Sequence, residues 1–307
     1  MMAWMGLVNK IKNRNQLMFQ ETTKFSNTFD KEGFNGCILK GQGNALNYPD
    51  PYYRTSGDID IWLWPKKKAG ESNRKVIVDY VHQYFPQAKM TYLHIDFPTR
   101  ANVAVEVHFF PSYLNNPIKN RYLQKYFNNF KEKISRHLVY VKGINATITF
   151  PAPTDSFNRI YQLCHIMHHY FDEGIGLRQL IDYYYLLRKG FSEEERMEDV
   201  KILKRLGMYR FAQSVMYVLN ETLGLKSSYL LVPPNKESGT LLLRDILQGG
   251  NFGKYNAAFQ HNGRTINIKR FLYKTLHNLS LVRSYPSEAL WEPWFRTWHF
   301  LWRLRYR

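Results

Sequence analysis

The sequence predicts an α+β protein: a small mixed β-sheet with flanking helices over residues 1–150, then an all-helical domain over 151–307. Three observations carry this. Short apolar runs of strand length recur in the first half, divided by turn-forming residues. Pro151 and Pro153 punctuate the chain. Beyond them, apolar residues recur almost throughout at helical spacing.

The elements follow in order. Leu17, Phe25 and Phe29 predict a helix over 15–33, which Gly33 ends. "FNGCILKG" is a short apolar strand running into Gly41. Residues 42–56 are turn-rich, with room for one helical turn at "NALNY". "DIDIWLW" alternates as a strand and Pro65 closes it. Ser72 can cap a helix over 73–84. "KMTYLHIDF" (89–97) and "NVAVEVHFF" (102–110) read as a hairpin, and 138–150 as one further strand. Helices are then expected at 155–172, 175–189, 193–206, 208–224, 240–247, 265–282 and 287–305.

Hydrophobic content of 44% excludes a largely disordered chain. The formal net charge of +18 points to polyanionic partners: nucleic acid, nucleotide phosphates or an anionic membrane surface. Two cysteines, Cys37 and Cys164, lack metal-binding spacing and fit a reduced chain. No apolar run reaches the roughly 18 residues of a membrane span, and the N-terminus does not read as a signal peptide. The expectation is a cytoplasmic protein.

Asp58 and Asp60 stand one residue apart on a strand, so their side chains project together. Like charges that close raise each other's pKa unless a cation lies between them. Glu106 and His108 share one face of "VAVEVHFF". If that strand lies beside the aspartates, three carboxylates converge and can hold two Mg²⁺ ions, with Mn²⁺ the alternative. The bland alternative is acids at strand ends, facing solvent. Upstream, "LKGQG" supplies glycines that let backbone approach a phosphate. Lys40 and Arg54 are cations beside this loop, able to reach phosphates or to serve as plain surface charge.

With these residues in hand, the chain resembles the polymerase-β-type nucleotidyltransferase superfamily. More closely, "LKGQGNAL…YPDPYYRTSGDIDIWLW" is similar to a bacterial group described only as uncharacterised nucleotidyltransferases. The likeness extends through "VEVHF" and "HHYFDEGIGLRQLIDYYYLL". It implies Asp58, Asp60 and Glu106 as catalytic metal ligands, and Lys40, Gly41, Gln42, Gly43 and Arg54 as nucleotide-binding residues. It departs from the wider superfamily in reading Gly-Gln-Gly where Gly-Gly or Gly-Ser is usual, and in a longer gap between Gly43 and Asp58.

In the helical half, His165 and His169 are four residues apart, with His168 offset. They can pack, hold zinc, or, for His169, touch substrate. Arg178 and Asp182 are also four apart, which allows an intrahelical ion pair. The resemblance adds that Arg178 contacts the nucleotide triphosphate, with Asp182 orienting it. His108 is a further candidate substrate contact. In the C-terminal stretch 264–307, nine Lys and Arg face two Glu. Trp291, Trp294, Trp298 and Trp302 form a helical stripe there, read as core-facing, nucleic-acid-binding or membrane-surface.

These readings combine into a metal-dependent nucleotidyltransferase. It would move a nucleoside monophosphate from an NTP such as ATP to an acceptor hydroxyl, releasing pyrophosphate, with the helical domain selecting the acceptor. Charge favours RNA, tRNA first. The rival is a non-catalytic nucleic-acid or partner-binding module on the same fold. The sequence assigns no oligomeric state.

Overall fold

The computed structural model describes residues 2–55, 57–67, 70–99, 103–143, 147–172, 174–249 and 265–305. Lys68, Arg264 and Arg307, and the side chains of Lys269, Arg270 and Arg305, lie outside the described residues. The chain divides into two compact units, one of Met1–Pro111 with Phe127–Phe157, the other of Ser112–Tyr126 with Asn158–Arg307.

The first unit starts with α1 (Met2–Lys31), which ends just before Gly33 at φ 85°. Three elements follow: β1 (Phe34–Ile38), α2 (Gln42–Ala45) and β2 (Asp58–Pro65). Then come α3 (Asn73–Tyr84), capped by the Ser72 side chain as expected, β3 (His94–Asp96) and β4 (Ala104–His108). The sheet order is β1-β2-β4-β3. β2 runs parallel to β4, while β1 and β3 are antiparallel to their neighbours, so the sheet is mixed.

Alternation gives the sheet its two characters. Ile59, Ile61 and Leu63 of β2 and Val105 and Val107 of β4 face one way. They join Met18, Phe19, Phe25 and Phe29 of α1 and Ile77 and Val81 of α3 in one core cluster. The other face of β2 carries Asp58, Asp60, Trp62 and Trp64. Trp62 stacks on Phe157 with centroids 6.0 Å apart. β2 is therefore covered on both sides, and Asp60 is buried among apolar strands.

Three sequence expectations change. The helix read from residue 15 begins at Met2, because its first turns are exposed and show no clear apolar period. The single strand over 138–150 is instead an antiparallel pair, β5 (Leu138–Lys142) and β6 (Thr147–Pro151), with Gly143 directly after β5. The sequence reading gives no element between 111 and 137, yet α4 (Pro117–Ser135) fills most of it. Pro117 suits a first helical position, and Leu123, Phe127, Phe130 and Ile134 recur at helical spacing.

The remaining helices are α5 (Asp155–Asp172), which belongs to the second unit from Asn158 on, and, wholly in that unit, α6 (Leu177–Leu187), α7 (Glu193–Leu206), α8 (Tyr209–Glu221), α9 (Lys236–Gly249), α10 (Thr265–Ser280) and α11 (Pro286–Arg305). α8 and α9 pack so closely that a Cβ on Gly239 would lie 2.4 Å from the Tyr217 side chain. The tryptophan stripe of α11 is not core-facing. Trp291, Trp294 and Trp298 are exposed, while Glu288, Ala289 and Glu292 take the buried side. No described helix is long and apolar enough to cross a membrane. Both cysteines are free and buried.

Candidate functional site

The parallel register sets Asp60 directly beside Glu106, and Asp58 beside Ala104. Asp58, Asp60 and Glu106 therefore share one corner of the sheet. Each offers a carboxylate oxygen, and these atoms lie within 4.8 Å of one another. The convergence expected from sequence is present.

Lys40 reaches this corner from the turn after β1, its Nζ 3.0 Å from Asp60 Oδ1. His108 also arrives, its Nε2 2.9 Å from the same oxygen and 3.4 Å from Glu106 Oε2. His94, which the sequence reading did not single out, places Nδ1 3.1 Å from Glu106 Oε2. The signal was there: "HID" on β3 mirrors "EVH" on β4, and a hairpin register pairs them.

The charges explain the titration behaviour. Asp58 is raised above the usual carboxylate range, first by the charge of Asp60 and then by burial, against the pull of Lys40. Burial alone would raise Asp60, but Lys40 and His108 outweigh it and hold Asp60 well below that range. Burial would lower Lys40, yet Asp60, Asp58 and Glu106 keep it firmly protonated. His108 is likewise raised, because Asp60 and Glu106 overcome its burial. Glu106 is lowered by His108 and His94 against burial. His94 itself is lowered by burial and by the neighbouring His108.

Asp60 Oδ2 is buried with no hydrogen-bond partner among the described residues. A buried carboxylate oxygen left so is costly, by about 1–3 kcal/mol or more for a charged group. A cation between the acids would satisfy it and relieve the repulsion that raises Asp58. The donor set, oxygen-rich and partly open at Glu106, fits a hard divalent ion.

The glycine turn lies against the same strands. Gly41 has φ 62°, and a Cβ there would sit 3.1 Å from Asp58 O. A Cβ on Gly43 would come within 2.7 Å of Ile38 O. Both glycines let the turn press on the ends of β1 and β2. Gln42 between them is fully buried.

The insert after the turn is pinned by its own bonds. Asp50 Oδ1 accepts from Tyr52 N at 2.9 Å and caps a short 3₁₀ turn over Pro51–Tyr53. Asn15 of α1 donates Nδ2 to the Tyr52 and Arg54 carbonyls, each at 2.6 Å. Tyr52 donates its hydroxyl to Lys142 O at 2.8 Å. Arg54 is buried, with Nη1 3.5 Å from Thr55 O.

The other expected site residues belong to the helical unit. Arg178 is exposed on the first turn of α6, and Asp182 is buried one turn later. His169 packs edge-on against His165, with ring centroids 4.4 Å apart. Among the described residues, the groups able to hold a metal are Asp58–Asp60–Glu106 and His94–Glu106–His108, and the helical histidines are in neither.

Among solved structures, the chain aligns with the crystal structure of an antigenic nucleotidyltransferase-like protein from Paracoccidioides brasiliensis at 10% identity and a TM-score of 0.40, covering 73% of this chain and 96% of that one. No protein in a search of curated proteins matches the sequence. The family described as uncharacterised nucleotidyltransferase matches residues 2–224, and the chain belongs to that family.

Proposed function

We propose that the protein is an active, metal-dependent nucleotidyltransferase whose centre is Asp58, Asp60 and Glu106. The carrying observation is the convergence of these three carboxylates beside a buried, unsatisfied oxygen of Asp60. A pure binding surface for polyanions gains nothing from such acids, since they repel phosphate when no cation is bound.

In this reading the acceptor hydroxyl attacks the α-phosphorus of an NTP, ATP being one candidate. A new P–O bond forms, the bond to the β-phosphate oxygen breaks, and pyrophosphate leaves. Mg²⁺ ions held by Asp58, Asp60 and Glu106, two in number and with Mn²⁺ as the alternative, would supply Lewis-acid stabilisation of the phosphoryl oxygens and acidify the acceptor hydroxyl. Lys40 keeps Asp60 ionised and supplies positive charge where phosphate approaches. Gly41, Gln42 and Gly43 shape the phosphate turn, and Arg54 and Arg178 are assigned to the nucleotide. Glu106 can accept the acceptor's proton, with His108 and His94 beside its Oε2 to share it. His169 and Asp182 are assigned to substrate contact and to orienting Arg178.

The sheet unit is the catalytic part of this reading, and the helical domain from residue 151 with its basic C-terminal stretch selects the acceptor. The net charge of +18 supports RNA, with tRNA the first candidate. The experiment is a label-transfer screen: Mg²⁺, each α-labelled NTP and total RNA, with wild-type chain and Asp58→Asn. Label moving to RNA with wild type alone supports the reading. No transfer to any acceptor, together with no Mg²⁺-dependent NTP binding, would instead indicate a non-catalytic module.

A further inference from the structure

We propose that His94, Glu106 and His108 form a second cation site on β3 and β4, one that takes a borderline divalent transition ion such as Zn²⁺ and shares Glu106 with the aspartate pair. The register builds it: His94 pairs with His108 and Asp96 with Glu106. Alternation then puts all four side chains on one face. Their donor atoms in the His94–Glu106–His108 set lie within 4.8 Å of one another.

The contacts have the character of ligands around a shared point. Two nitrogens flank one carboxylate oxygen, at 3.1 Å from His94 and 3.4 Å from His108. Among the described residues, His94 Nδ1 is a buried atom with no hydrogen-bond partner, and His108 Nε2 has a hydrogen bond to Asp60. Ligands bound at about 2.0–2.1 Å to one tetrahedral zinc ion stand about 3.3–3.4 Å apart; the His108 edge has that length and the His94 edge is slightly shorter.

The outer support also fits. Asp96 Oδ1 faces the other nitrogen of His94 at 3.7 Å, the place a carboxylate takes behind a ligating imidazole. Thr91 holds the turn that presents His94: its Oγ1 accepts from His94 N at 3.1 Å and its N–H donates to His94 O at 2.8 Å. Two imidazoles and a carboxylate suit zinc-like ions better than Mg²⁺, which favours oxygen ligands alone. Three protein donors leave a coordination position for water or a substrate oxygen. The site stands on its own donors; Glu106, His94 and His108, placed beside the acceptor's proton above, tie it to the nucleotide reading.

The test uses the full chain, stripped of metal by chelator and titrated with Co²⁺ as a visible probe. The expected result is a Co²⁺ ligand-field band that stoichiometric Zn²⁺ abolishes and excess Mg²⁺ does not. H94A and H108Q should each weaken Co²⁺ binding about tenfold or more, while D58N keeps the band. His94 is partly exposed, so H94A carries the test if H108Q fails to fold, with circular dichroism as the check. Co²⁺ binding no tighter than that of Mg²⁺, or H94A binding Co²⁺ like wild type, would overturn the proposal. A wild-type chain that shows the band but neither transfers nucleotide nor binds NTP with Mg²⁺ would leave this site standing and defeat the nucleotide reading alone.

Discussion

Each unit buries an ionic cluster, and the two differ in what is left over. In the helical unit, Arg159 is 1% exposed and donates Nε to Asp199 at 2.5 Å and Nη2 to Glu195 at 3.1 Å. Glu195 also closes the capping box of α7 with Ser192. None of these side chains holds a buried polar atom without a partner. In the sheet unit, three carboxylates meet one lysine, and Asp60 Oδ2 has no partner among the described residues. The first cluster is complete by itself. The second has a surplus of negative charge, which is how a folded protein keeps a place for a cation.

That contrast can be broken from either side. The largest effect belongs to the complete cluster. Arg159→Ala strands Asp199 in the interior and should cost about 3–5 kcal/mol in chemical denaturation. Next, Asp58→Asn should lower nucleotide transfer by about 10²–10³-fold or more, measured as label incorporation at saturating NTP.

A third prediction concerns pH. Glu288 on α11 is buried, and burial pushes it up to about 7 although it accepts backbone N–H groups from Asn115 and Asn116. An acid raised in the folded state stabilises fully below its unfolded pKa, near 4.5. That contribution is lost as pH rises through 7, because the unfolded chain ionises first. Stability should therefore fall by up to about 3 kcal/mol between pH 4.5 and 7. Glu288→Gln should flatten the melting curve series across that window. The smallest effect is again at the surplus cluster. Without added metal, Asp58→Asn removes a repulsion and should stabilise by up to about 1 kcal/mol, read as a higher Tm. Loss of activity with gain of stability is the mark of a functional acid, and Arg159→Ala lacks it.

Much of this was legible because it rests on short periods. Alternation places Asp58 with Asp60 and Glu106 with His108, and Ser72 announces α3. The adjacency of β2 and β4 was only a condition in the sequence, since register across a sheet is a long-range property. For the same reason His94 went unnoticed, three residues of edge strand within a longer apolar run. The pairing of β5 with β6 hid within a stretch rich in β-branched residues, where Gly143 is the one described residue between the strands. The outward tryptophans of α11 show the limit of helical spacing: it finds a stripe but not which side is buried, and here Glu288 and Glu292 take the inner face.

The central claim is that the carboxylate corner binds nucleotide through a divalent cation. Calorimetric titration of a non-hydrolysable NTP, with and without Mg²⁺, into wild type and Asp58→Asn tests it most directly. The account predicts binding by wild type that requires Mg²⁺ and that Asp58→Asn loses. Nucleotide binding that is indifferent to Mg²⁺, or equal in the two proteins, would contradict it.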